Sequence, residues 1–100
     1  MSAVVLRKAP VKSVYKFVVT FPDGAKVQFG RKGYSDYTIH KDKERMLRYL
    51  TRHKRRETWG RAGAKSAGFW SRWLLWSRPS FQAALKQTQK VLGRKIIFRK

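Results

Sequence analysis

The chain contains no cysteine and no asparagine, and only 5 of its 100 residues are acidic. Without cysteine there is no disulfide framework, no thiolate nucleophile and no cysteine-ligated zinc. The acids are Asp23, Asp36, Asp42, Glu44 and Glu57, and nothing in their spacing makes two of them converge as a carboxylate dyad requires. Asp42 and Glu44 are two apart, so on a helix they face different ways. His40 and His53 have no third donor placed beside them, short of the three or four converging ligands of a metal site. Ser66 and Ser71 lack a Gly-x-Ser-x-Gly setting, and Gly30-Arg31-Lys32-Gly33 is too short for a phosphate loop. The expectation is a protein without enzymatic activity, cofactor, metal or small-molecule substrate. No apolar run reaches the roughly 18–20 residues of a spanning helix. The short apolar patch at the N-terminus precedes its charges, the reverse of a secretory signal. A soluble intracellular protein is therefore expected.

What the chain has is positive charge and aromatic rings. It carries 25 Lys and Arg, for a formal charge of +20, and is 42% hydrophobic and 14% aromatic. That is too apolar for a disordered basic tail. A single domain of this length buries about 60–65% of its unfolded surface, so its core is thin. The charge opposes compaction and favours binding to anything negative.

Residues 11–21 place Val11, Tyr15, Phe17, Val19 and Phe21 on one parity and Lys12, Lys16 and Thr20 on the other, a strand with one buried face. Pro22-Asp23-Gly24 supplies a turn, and Ala25, Val27 and Phe29 alternate back along a second strand. Asp36 or Thr38 can cap a helix, and residues 40–56 read as helical, with acids early and bases late. Met46, Tyr49, Leu50 and His53 give that helix a narrow apolar stripe. A glycine-rich link at 60–68 leads to two turns of helix at 69–76, broken before Pro79. Phe81, Ala84, Leu85, Thr88 and Leu92 keep helical spacing up to a stop at Gly93, and residues 94–99 read as a last strand. The expected fold is α+β: an N-terminal β-hairpin, two to three helices, and a C-terminal strand completing a small antiparallel sheet. All of it is one domain, with an arm at 1–10, the hairpin at 11–32, a helical part at 38–92 and a strand or tail at 94–100.

Two features carry the functional expectations. Residues 41–61 hold nine Lys and Arg against three acids. Arg45, Arg48, Arg52, Lys54, Arg55 and Arg56 are the candidates for contact with a polyanion or an acidic surface. On nucleic acid they would bind phosphates with strong salt dependence; on a protein they would meet an acidic face. Since asparagine is the usual adenine reader, its absence points to sequence-independent contact. The second feature is residues 67–78, where Trp70, Trp73 and Trp76 recur every third position. Such rings can stack on unpaired bases, anchor a protein interface, supply the core, or lie in a membrane surface. On a regular helix Phe69, Trp73 and Trp76 share one face, Trp70 and Leu74 a neighbouring one, and Arg72 falls on the polar side. Phe69, Trp70, Arg72, Trp73 and Trp76 are accordingly the candidate partner contacts, half core and half interface.

One pattern runs from Phe29-Gly30-Arg31-Lys32-Gly33-Tyr34-Ser35-Asp36-Tyr37-Thr38 through His40-Lys41-Asp42, Arg45, Tyr49 and Arg52-His53. It resumes at Trp59 and closes with Ala67-Gly68-Phe69-Trp70-Ser71-Arg72-Trp73-Leu74-Leu75-Trp76. It resembles a small family of nucleocytoplasmic large double-stranded DNA viruses, icosahedral viruses of algae, amoebae and related hosts. No catalytic role comes with the resemblance. It implies a virus-encoded structural component of the virion, similar in character to the minor capsid proteins that cement capsomers beneath the shell. Its partners would be other capsid proteins, major and minor, with DNA or the acidic face of an inner membrane as further surfaces. Its place would be the capsid, and the host cytoplasm or nucleus during assembly. The alternative is a sequence-independent viral nucleic-acid-binding protein that coats or condenses DNA; a ribosomal-type RNA binder fits the charge but not the motif. Within the motif, Tyr34, Asp36, His40, Asp42, His53 and Trp59 are expected to be structural. Asp36 and Asp42 are expected to pair with Arg45, Arg52 or Arg72 and so hold the basic helix on the tryptophan segment.

Overall fold

Alternation sets the sheet. In β1 (Val4–Lys8) Val4 and Leu6 are fully buried, and in β2 (Tyr15–Thr20) and β3 (Lys26–Arg31) the inward positions include Val19, Val27 and Phe29. The computed structural model describes residues 3–99; Met1, Ser2 and Lys100, parts of the expected arm and tail, lie outside them. β4 (Ile96–Arg99) completes a four-stranded sheet of order β3-β2-β1-β4. The β2–β3 hairpin is antiparallel with Phe17 opposite Phe29 and Val19 opposite Val27. The α+β class and the hairpin agree with the sequence reading.

The differences are local and have physical causes. Residues 1–10 are not simply an arm, since β1 lies between β2 and β4 in the sheet. Two inward side chains before Arg7 and Lys8 are too short a pattern to announce a strand. β4 runs parallel to β1, with Val4 opposite Ile96 and Leu6 opposite Phe98, so the sheet is mixed. A parallel pair needs a long crossover, and the helical part of the chain provides it; alternation reports which face is buried, not strand direction. Val11 is 95% exposed, because the chain turns between Pro10 and Ser13 before β2 begins.

Helices cover one face of the sheet. The expected helix over 40–56 is two elements, α1 (Tyr37–His40) and α2 (Lys43–His53). Lys41 breaks them by taking a left-handed conformation at φ 56°, and Asp42 restarts the helix as its N-cap. A 3-10 turn (Arg61–Gly63) precedes α3 (Ala67–Trp70), which runs into a π turn (Ser71–Leu75) and then α4 (Phe81–Leu92). Ser66 and Ser80 cap α3 and α4, and Gly93 ends α4 in the left-handed region. The core joins Val4, Leu6, Val19, Phe29 and Ile96 from the sheet to Phe69, Trp70, Leu74, Leu75 and Leu92 above it. Each such side chain contributes on the order of 1.5–3 kcal/mol by leaving water. Gln89 Oε1 accepts the Ile96 N–H at 2.8 Å, which ties α4 to β4.

Candidate functional site

α2 presents the charge. The Asp42 carboxylate accepts the N–H groups of Glu44 at 3.0 Å and Arg45 at 3.3 Å, satisfying orphan donors of the first turn. Arg45, Arg48 and Arg52 on α2, with Lys54, Arg55 and Arg56 just beyond it, are all exposed. Among the described residues the ion pairs are Lys16–Asp36, His53–Glu57 and Lys65–Asp23, so none of those six cations meets a carboxylate. The stripe expected on the opposite side is present, with Tyr49 buried and Met46, Leu50 and His53 half-buried.

Four rings fix that stripe to the rest of the domain. Tyr49 lies on Trp76 with centroids 4.4 Å apart and planes 2° from parallel. His53 stacks on Tyr49 at 4.2 Å and 22°, and His40 lies against Trp76 at 5.3 Å and 54°. The column His53–Tyr49–Trp76–His40 therefore spans from the end of α2 to the end of α1. Burial and the Glu57 charge push the Tyr49 phenol well above its usual range, so it stays neutral. His40 Nδ1 accepts the Asp42 N–H at 2.9 Å, which leaves the proton of the neutral ring on Nε2, a buried atom with no partner. Desolvation first, then the nearby Arg45 charge, lowers the His40 pKa.

This column does what the acids were expected to do. Asp36 does not pair with an arginine: its Oδ2 meets Lys16 Nζ at 2.8 Å, and its Oδ1 accepts from the N–H and hydroxyl of Thr38. It thus caps α1 and tethers the turn to β2. Asp42 is spent on the α2 cap. The expected pairs of Asp36 and Asp42 with Arg45, Arg52 or Arg72 are absent among the described residues, because two short carboxylates at helix starts are held by local N–H groups.

The tryptophan segment is also corrected. Phe69 and Trp70 have 0% exposure and cannot touch a partner. The Trp76 N–H reaches back to the Ser71 carbonyl, five residues away, and this π turn shifts the helical phase. Trp70, Leu74 and Leu75 consequently face the core while Trp73 and Trp76 stay half-buried. The indole N–H groups of Trp59, Trp70 and Trp73 donate to Glu57 Oε1, the Ala64 carbonyl and the Trp59 carbonyl. Arg72 does not lie on a polar side. Its guanidinium sits 4.1 Å over Trp73 and 5.3 Å over Trp59, donates to the Trp76 carbonyl, and leaves Nε buried without a partner. Burial lowers its pKa, although the cation–π faces favour the charge.

Glu57 links this layer to α2. It accepts from His53 Nδ1 at 3.0 Å and from Trp59, and it rests on Gly68, where an added Cβ would lie 2.8 Å from its Cδ. His53 and Trp59 thereby meet in one network through Glu57. Tyr34, in contrast, is 68% exposed and packs into no core. Sequence reasoning missed Lys16, Glu57 and Gly68; the one available signal was a glycine beside bulky aromatics, which marks close approach.

No group of three or more His, Asp or Glu able to hold a metal occurs among the described residues. No helix there is long and apolar enough to cross a membrane. A profile for a family of unknown function, DUF5754, matches residues 4–53, which is β1 through α2. No curated protein and no solved structure matches the chain.

Proposed function

The chain belongs to the family of unknown function DUF5754, and from that premise we propose that it is a structural, non-enzymatic component of a virion, a minor capsid protein that cements capsomers of an icosahedral large double-stranded DNA virus. The observation that carries the reading is the row of cations from Arg45 to Arg56, which have no carboxylate partner among the described residues and sit on and just beyond a helix whose other side is locked by stacked rings. A domain that holds this cationic helix rigidly fits a cement that docks on acidic patches of neighbouring major and minor capsid proteins. Phe69 and Trp70 turn fully inward and add rigidity. The viral setting rests on the motif resemblance between residues 29 and 76.

The test is retention. Virions are purified, emptied of genome, and probed for this chain by quantitative mass spectrometry of the shells. The expected result is the same copy number per shell before and after emptying. Loss with the genome overturns the cement reading and favours the second one, a sequence-independent DNA-coating protein. That second reading is favoured by the spacing of Arg45, Arg48 and Arg52 along exposed turns of α2. It predicts affinity for random duplex DNA that falls by about 10³-fold or more between 50 and 200 mM salt if at least six phosphates are contacted.

A further inference from the structure

A second feature lies beside α2 and draws Arg45 and Arg52 from the same cationic row. The end of β3, the loop at 34–36 and one face of α2 enclose an open cleft of about 500 Å³, within the roughly 300–1,000 Å³ of small-ligand sites. Arg31 comes from the β3 wall, and Arg45 and Arg52, seven residues apart on one helical face, come from the other. All three are exposed and have no carboxylate partner among the described residues. The two carboxylates in the same walls are already occupied, Asp36 by Lys16 and Thr38, and Glu57 by His53 and Trp59. Lys16, Arg31, Arg45 and Arg52 set against Asp36 and Glu57 leave the lining net positive. At its margin stands Tyr34, a large ring 68% exposed with no packing role.

We propose that this cleft binds a nucleoside phosphate, with the phosphate held by Arg31, Arg45 and Arg52 and the base laid against Tyr34. Guanidinium forks match phosphate oxygens bidentately, and an exposed tyrosine face offers a stacking surface to any base. An acidic peptide would use the arginines but leave the ring without a partner. The nucleoside phosphate comes either as a free nucleotide or as one unit of a single strand.

Calorimetric titration of the whole chain separates these cases, with adenosine monophosphate, a six-nucleotide single strand, inorganic phosphate and hexaglutamate as probes. Arg31→Gln/Arg52→Gln is compared with Arg7→Gln/Arg99→Gln, which removes equal charge from the paired strands β1 and β4, outside the cleft. The cleft pair should weaken nucleotide or strand binding more than about 10-fold, and the sheet pair less than about 3-fold, since 1.4 kcal/mol is tenfold. Tyr34→Ala should weaken the same probes about 5-fold or more, a stacking contribution of at least ~1 kcal/mol, without changing inorganic phosphate binding. Binding of the monophosphate at the cleft identifies a free nucleotide; binding of the strand alone identifies a strand unit. Equal losses in both arginine pairs, no effect of Tyr34→Ala, or hexaglutamate binding most tightly each overturns the proposal.

Discussion

The Tyr49 ring lies flat on Trp76, 4.4 Å between centroids and 2° from parallel, and this contact joins the cationic helix to the aromatic layer alongside the Glu57 bridge. Tyr49 is 7% exposed, so truncation leaves a cavity as well as a lost stack. Tyr49→Ala should destabilise the domain by about 3–5 kcal/mol. A double-mutant cycle with Trp76→Ala should return a coupling of about 0.5–1.5 kcal/mol. Urea denaturation of the four proteins measures it, and strictly additive losses would show that the rings are neighbours without being partners.

Asp36 combines two roles that the sequence could not assign together. Its carboxylate, 2% exposed as a residue, is both the α1 cap and the partner of Lys16, twenty positions earlier on β2. Asp36→Asn keeps an oxygen for the cap but leaves the Lys16 ammonium, also mostly buried, without its counter-charge. The expected loss is about 3 kcal/mol. Lys16→Met in the same background should recover part of it, because an apolar side chain of similar length removes the stranded charge. A denaturation midpoint for Asp36→Asn equal to that of the parent protein would refute the pairing.

Much of the fold was legible where side-chain alternation was long enough. Phe17, Val19, Val27 and Phe29 announced the hairpin, and Met46, Tyr49, Leu50 and His53 announced which side of α2 is covered. β1 was not legible, because Val4 and Leu6 alone do not make a pattern. Strand direction at β4 was not legible either, since parallel and antiparallel strands bury alternate residues alike. The tryptophan phase failed for a different reason: the π turn at Ser71–Leu75 inserts a step that a regular helical wheel cannot contain. At the candidate site, the exposed arginines followed from the sequence, but the partners of Asp36, Glu57 and Arg72 depend on tertiary placement.

Gly68 gives a test of sign. In a helix, glycine to alanine ordinarily stabilises by about 0.5–1 kcal/mol. Here the new Cβ would sit 2.8 Å from Glu57 Cδ and 3.1 Å from Glu57 Oε1. Glu57 must then retreat from His53 and Trp59, at about 1–3 kcal/mol for groups left unsatisfied. Gly68→Ala should therefore destabilise, by about 1–2 kcal/mol after the helix gain is subtracted. In a Glu57→Ala background the obstruction is gone, and the same substitution should stabilise. Denaturant midpoints of the four proteins decide; destabilisation that persists without Glu57 would place the clash elsewhere.

His40 should make stability fall with acid. Its pKa is lowered in the fold by desolvation and Arg45, against the ordinary value of 6.5 expected for the unfolded chain. Below about pH 6.5 the unfolded chain therefore binds a proton that the folded chain refuses, and stability declines as pH falls from there toward the lowered folded value. Protonation would also turn Nδ1 from the acceptor of the Asp42 N–H into a donor, undoing the link between α1 and α2. The charged groups facing the ring are Arg45, Asp42 and Asp36, the two acids opposing the shift without reversing it. His40→Gln should flatten the slope of stability between pH 7.5 and 5.5. His53 is the other histidine of the chain and holds Glu57, so His53→Gln serves as the comparison and should leave the His40 component in place. Urea midpoints across that interval read the difference. An unchanged slope in His40→Gln would assign the acid sensitivity to another group.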